Sequence, residues 1–230
     1  MIIVGTFIPE IEIWNLDSED CAPLAALGSV EESENAKSSV VNKFHKKKPV
    51  RAFSENTHTD AIMSLSLNPF QNEYLASSSA DCTVRIWDID ELACKMAYQD
   101  LHNDKVQVVK WNRQNEQVLL SGGYDGRLNV IDVRQAEGAI RYQLDKTVHQ
   151  DIECANWHYK SEHHFCVGTE SGYFCGYDIR QTKGPVFEFQ GHSRGLTSLD
   201  FSSHVPSMIS TVGADGKCKV WDLNTVAAGN

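Results

Sequence analysis

Apolar and polar residues alternate in short runs along most of this chain. Val84 and Ile86 flank Arg85, Leu128 and Val130 flank Asn129, Cys218 and Val220 flank Lys219, and Ile11 and Ile13 flank Glu12. Period-two alternation of this kind predicts β-strands. Just upstream of three such segments stand Asp125-Gly126, Ser171-Gly172 and Asp215-Gly216. A glycine there supplies the positive φ that a two-residue turn needs, so each pair predicts an antiparallel hairpin.

The runs return at a nearly fixed interval. They close on Trp14-Asn15, Trp87-Asp88, Ile131-Asp132, Tyr177-Asp178 and Trp221-Asp222, and from Trp87 onward the spacings are 44, 46 and 44 residues. Three more columns recur in register: Asp81, Asp125, Ser171 and Asp215; Ser77, Ser121, Val167 and Thr211; and His58, His102, His149 and His192. A repeat of this length fixes an architecture before any single residue does.

These units resemble WD repeats, the blades of a β-propeller. The resemblance implies an all-β fold of four-stranded antiparallel blades, four units plus part of a fifth, forming an incomplete ring. It also implies a polar network in each blade, in which the turn Asp accepts a hydrogen bond from the His. The His is linked in turn through the Ser or Thr hydroxyl to the Trp indole, and a charge-assisted bond of this sort is worth about 1.5–3 kcal/mol. His58, Ser77, Asp81 and Trp87 make one intact set, and His192, Thr211, Asp215 and Trp221 another. Ile131 removes the indole donor from the set of His102, Ser121 and Asp125, while Val167, Ser171 and Tyr177 leave the next unit little beyond His149. Those two units are expected to rely on packing more than on polar networks.

The repeat sets the boundaries. Residues 1–16 read as the inner strands of a partial blade, and 17–56 as an outer strand near Cys21 to Leu27 followed by a flexible insertion. Repeats then occupy 57–100, 101–147, 148–190 and 191–230, the last without its outer strand. The insertion is acidic at Glu31, Glu32 and Glu34 and basic at Lys43, Lys46, Lys47, Lys48 and Arg51, a composition that buries no face. Its basic half is a candidate nuclear-import or nucleic-acid patch, the alternative being a solvated loop. Closing a seven-bladed ring at this period takes about 300 residues. A truncated product is therefore expected, ahead of closure by a second copy or an unusually small ring.

At 230 residues, 41% hydrophobic and 23% charged, the composition is that of a globular protein with ample core-forming material. No apolar run is long enough for a membrane span, and the N-terminus has the pattern of a strand pair rather than a signal peptide. Seven cysteines show no paired spacing, which fits a reducing compartment. A formal net charge of −10 argues against nucleic-acid binding through the general surface, leaving local contact at most.

The opening VGTFIPEIEIWNLD, the Lys-rich insertion, and the phrases HTDAIMSLSLNP, LASSSADCTVRIWD, HNDKVQVVKWN, GYDGRLNVIDVR and GADGKCKVWDL narrow the resemblance to a nucleolar branch of the WD-repeat family. That branch implies a non-enzymatic scaffold in ribosome biogenesis, with pre-ribosomal or chromatin proteins as partners, in the nucleus and nucleolus, with the cytosol as fallback. No cofactor, metal, small-molecule substrate or membrane is expected.

Two positions after each repeat His stand Asp60, Asp104, Asp151 and Arg194, which would line one mouth of the ring. Three acids there would attract a basic peptide such as a histone tail, although Asp is also a common turn residue. The segments ending at Arg134 and Arg180 resemble the Trp-Asp-x-Arg box by which some WD-repeat proteins dock onto cullin-RING ubiquitin ligases, but both lack the Trp. His158, His163, His164 and Cys166 cluster in sequence without the paired spacing of a zinc site.

Overall fold

The structure, a computed structural model, describes residues 1–15, 23–28, 56–135, 139–143 and 151–227. The charged insertion, with Lys43, Lys46, Lys47, Lys48 and Arg51, lies outside them, as do Cys21 and His149. The described residues form five antiparallel sheets. The first holds β1 (Ile2–Gly5), β2 (Ile11–Trp14) and β3 (Ala25–Leu27). The second holds β4 (Ile62–Leu67), β5 (Tyr74–Ser79), β6 (Val84–Asp88) and β7 (Ala93–Tyr98). The third holds β8 (Val106–Trp111), β9 (Val118–Gly123), β10 (Arg127–Asp132) and β11 (Ile140–Gln143). The fourth holds β12 (Ile152–Trp157), β13 (His164–Thr169), β14 (Tyr173–Asp178) and β15 (Phe187–Gln190). The fifth holds β16 (Leu196–Phe201), β17 (Met208–Gly213) and β18 (Cys218–Asp222). After Asp222 the described chain turns into a short helix, α1 (Leu223–Ala227).

Sequential strands pair with their neighbours in every sheet, so each is a meander. The sheets stack like an open fan: β4 lies against β8, β8 against β12, and β12 against β16. Four apolar seams join the five sheets. Ile11, Ile13 and Leu27 meet Leu75 and Trp87 in the first seam, and Val84 and Ile86 meet Val109 and Trp111 in the second. In the third, Leu128 and Val130 meet Trp157, Phe165 and Tyr177, and in the fourth Cys166 and Phe174 meet Leu199 and Phe201.

Stacking on both faces changes what alternation means. Arg85 is 4% exposed and Asn129 is 0% exposed, although each is the polar member of its alternating run. Both point into the seam on the other side of their sheet, because a blade inside the stack has no solvent face. In the fifth sheet the assignment reverses. Val220, an apolar member, is 63% exposed, and Cys218 is exposed too, because no sheet of the described chain covers that face.

The hairpins also differ from the two-residue turns that the glycines suggested. The Gly126 N–H donates to the Gly123 carbonyl at 3.1 Å, Gly172 to Thr169 at 3.0 Å, and Gly216 to Gly213 at 3.1 Å. Each loop therefore spans three residues with the glycine last, at φ of 69, 83 and 73°. This is a turn followed by a left-handed residue. Cys82 takes that place in the second sheet at φ 68°. The inner strands share a second irregularity, a register shift near their starts at Ile62/Ser64, Val106/Val108, Ile152/Cys154 and Leu196/Ser198.

Where the inner strands end, side chains tie one sheet to the next. The Asn68 amide donates to the Glu116 carbonyl at 3.0 Å and the Asn112 amide to the Glu162 carbonyl at 2.9 Å. His158 Nε2 makes the corresponding bond to the Pro206 carbonyl at 2.8 Å.

Candidate functional site

At the opposite end, where inner strands begin, His58, His102 and His192 are buried. His58 Nε2 lies 2.7 Å from Ser77 Oγ, which also accepts the Trp87 indole N–H at 2.7 Å. The ionised Asp81 can only accept, so Nδ1 carries the ring proton and donates it to Asp81 at 3.0 Å. Nε2 is then the acceptor of the Ser77 hydroxyl, while Ser77 Oγ accepts the Trp87 indole. In the fifth sheet Thr211 replaces the serine, with His192 Nε2 and the Trp221 indole both at 2.8 Å and Asp215 3.0 Å from Nδ1. The aspartates also accept backbone N–H groups of the His loop, Thr59 to Asp81 at 2.9 Å and Ser193 to Asp215 at 3.2 Å.

The third sheet keeps this network, contrary to the expectation that it would lean on packing. His102 is 2.8 Å from Ser121 Oγ and 3.0 Å from Asp125. Ile131 has no indole to offer, and the Asn129 amide approaches His102 Nε2 at 2.9 Å instead. Position 129 precedes the closing column by two, so the compensation comes from the polar member of the alternating run.

In the fourth sheet Val167 is buried in the seam and Ser171 Oγ lies 3.2 Å from Thr169 Oγ1. Aromatic contact dominates there. Phe165 stacks on Tyr177 at 5.1 Å, and Tyr142 of the third sheet meets Tyr177 edge-on at 5.3 Å.

These networks make the fold sensitive to acid. Burial lowers the pKa of His58 from 6.5, so just below that value the unfolded chain takes up a proton that the folded chain refuses. Burial, the largest single influence, would raise the Asp81 and Asp125 carboxyls, but the hydrogen bonds and charge of His58 and His102, joined by the Thr83 hydroxyl and the Thr59 N–H at Asp81 and by the Asn103 and Arg127 N–H groups at Asp125, together hold both below 3.8. Both kinds of group carry lowered folded values. Their stabilisation is present above the unfolded pKa and lost as pH falls through the folded one. Denaturant midpoints are expected to decline in two stages, first below pH 6.5 and again below pH 3.8. His58→Gln should shrink the first stage, and an equal decline in that variant would refute the assignment.

The acids of the proposed mouth stand at the same end. Asp60 and Asp104 are exposed, and each accepts the N–H of its following residue, Ala61 and Lys105, at 2.7 Å. Asp151 is half-buried, and burial together with Glu170 and Asp104 raises its pKa. Glu153 is raised by burial as well, against the lowering effect of its hydrogen bond from the Tyr124 hydroxyl at 3.4 Å. Cys82, at the turn between β5 and β6, is held protonated by burial and by Asp104, Asp81, Asp125 and Asp60. The structure thus gathers Asp104, Asp151, Glu153 and Glu170 across the third and fourth sheets. The repeat spacing gave no reason to single out Glu153, Glu170 or Tyr124. Glu170 sits directly before the turn residue Ser171, the one signal that could have found it. Arg194 is exposed on the loop before β16, and its carbonyl faces Gly172.

Arg134 and Arg180 lie at the other rim, and each is closed onto its own strand-end carboxylate. Arg134 Nη2 is 2.5 Å from Asp132, and Arg180 Nη2 is 2.6 Å from Asp178. Of the clustered histidines, His158 bonds Pro206 and His164 Nδ1 lies 2.7 Å from Ser161 Oγ. Among the described residues no group of three or more His, Cys, Asp or Glu could hold a metal ion.

Comparison with known proteins agrees with this geometry. Residues 91–229 match the family described as nucleolar protein 10-like, N-terminal domain, and residues 47–88 match the WD domain, G-beta repeat. Periodic tryptophan protein 1 of Saccharomyces cerevisiae is 36% identical over 225 residues, 95% of this chain and 38% of the relative. A homologue of it from Drosophila melanogaster is 27% identical over 99% of this chain and 46% of the relative. A histone acetyltransferase type B subunit 2 of Candida glabrata is 24% identical over 74% of this chain and 41% of the relative. The chain spans less than half the length of these curated relatives. It belongs to the WD-repeat β-propellers, in the family of the nucleolar protein 10-like N-terminal domain, and is homologous to periodic tryptophan protein 1.

Proposed function

We propose that this chain is a non-enzymatic scaffold in ribosome biogenesis, acting in the nucleus and nucleolus and holding pre-ribosomal proteins through their basic segments. The observation that carries the choice of partner is the mouth at the histidine end, where Asp104, Asp151, Glu153 and Glu170 gather: burial and then the charge of Glu170 raise the proton affinity of Asp151 and Glu153, and Asp104 adds to it at Asp151. Uncompensated negative charge of this kind attracts and orients cationic peptides. The basic residues Lys43, Lys46, Lys47, Lys48 and Arg51 serve as an import signal or local nucleic-acid contact.

A ubiquitin-ligase receptor is less well supported, since docking through Arg134 or Arg180 would first break the pairing with Asp132 or Asp178. A reader of histone tails shares the acidic mouth and is separated from the first reading by partner identity. Affinity purification of the full-length gene product is expected to return pre-ribosomal particles, whereas nucleosomes or ligase subunits would replace this reading. Changing Asp60, Asp104 and Asp151 together to Lys should weaken a fluorescent Lys/Arg-rich peptide by about tenfold or more at low salt. Unchanged affinity would remove the mouth from the account.

A further inference from the structure

A cavity of about 490 Å³ opens between the second and third sheets, at the rim away from the histidines. Its apolar walls include Tyr74, Ile86 and Met96 on one side and Trp111 and Val133 on the other. Both the volume and the apolar lining fall in the range of ligand-binding clefts. The repeat builds a counterpart of about 550 Å³ between the fourth and fifth sheets, where Phe201 takes the place of Trp111.

Trp111, Trp157 and Phe201 are the last residues of β8, β12 and β16. The Trp157 indole N–H crosses its seam to the Lys110 carbonyl at 3.0 Å. Trp111 is 5% exposed and its indole N–H has no acceptor among the described residues. A buried donor left in that state destabilises the fold, so anything that supplies an acceptor is favoured. Trp111 itself lines the cavity, so a ligand there can bring the acceptor to the indole if the ring turns toward it.

The rim decides what kind of acceptor fits. Lys95 is paired with Asp88 at 3.6 Å and with Glu91, and Arg134 with Asp132, while Glu116 lines the wall. The cations are already neutralised, and a ligand carboxylate would meet a surplus of negative charge. An uncharged carbonyl meets no such repulsion.

We propose that this cavity docks an extended peptide segment of a partner protein, burying one branched or aromatic apolar side chain and presenting a neutral backbone carbonyl to the Trp111 indole. Met96, an apolar residue 41% exposed at the mouth, is covered in the process. The site lies at the opposite end from the acidic mouth and does not depend on it.

The test is a titration of the ¹⁵N-labelled chain with N-acetyl-L-leucinamide, which carries one branched side chain and only neutral carbonyls. The expected result is a saturating shift of the Trp111 indole signal, with Kd on the order of 1–10 mM for so small a probe. The Trp87 and Trp157 indoles should stay in place. N-acetyl-L-leucinate, its carboxylate analogue, should bind several-fold more weakly. Trp111→Phe keeps the apolar wall and should weaken the amide about tenfold, read from Met96 and Val133 methyl shifts. Met96→Trp, a change at an exposed position that fills the mouth, should abolish the Trp111 shift while leaving that signal at its native position. The proposal is overturned by an unmoved Trp111 indole, by equal movement at Trp157, by equal binding of the carboxylate, or by persistence of the shift in Met96→Trp.

Discussion

Replacing Ser77 by alanine is expected to lower the unfolding free energy by about 2–5 kcal/mol, since two buried polar groups each lose a partner. The Ser77 hydroxyl is wholly buried and serves both the Trp87 indole and His58 Nε2, which have no other acceptor or donor at those atoms among the described residues. Removing it strands one donor and one acceptor, each desolvated. Ser77→Thr is the control, because Thr211 does the same work in the fifth sheet with bonds of 2.8 Å. Urea denaturation should therefore rank wild type and Ser77→Thr together, with Ser77→Ala well below. A loss under about 1 kcal/mol for the alanine variant would mean that water replaces the hydroxyl, and the network would not be the keystone of its sheet.

The second large effect is expected at Gly172. This residue has φ of 83°, and a β-carbon there would come within 2.2 Å of the His192 carbonyl oxygen and 2.5 Å of that of Arg194. Both atoms belong to backbone, so neither can swing aside. Gly216 offers the matched comparison, with φ of 73° and nothing within 4 Å of the place a β-carbon would take. Gly216→Ala should cost about 1 kcal/mol, the strain of a left-handed alanine alone. Gly172→Ala adds overpacking against a rigid wall and should cost about 3–5 kcal/mol. Differential scanning calorimetry of the two variants separates strain from collision. Equal melting temperatures would show that the loop before β16 yields.

Much of the architecture could be read from the chain because the repeat carries it. His58, Ser77, Asp81 and Trp87 return as His192, Thr211, Asp215 and Trp221, and the period-two alternation between them points to strands. What escaped were features set by neighbours rather than by the repeat. Arg85 and Asn129 are the polar members of alternating strands and are buried, because stacked sheets have two inward faces. Val220, an apolar member, is exposed for the opposite reason. The Asn129 contact with His102 is a substitution across columns, visible only when both side chains are placed. The acidic group was legible in part. Asp104 and Asp151 follow the histidines at a fixed offset, whereas Glu153 and Glu170 join them only through the stacking of the third and fourth sheets.

The two rims of the stack are fastened by different chemistry. One end carries imidazole and carboxylate pairs, while at the other, from the second sheet to the fourth, Asn68 and Asn112 clasp the carbonyls of the adjacent sheet through amides that do not titrate. A fan with such ribs has a built-in pivot: acidification slackens one margin and leaves the amide clasps gripping. Any splaying of the ribs would then widen the histidine side first.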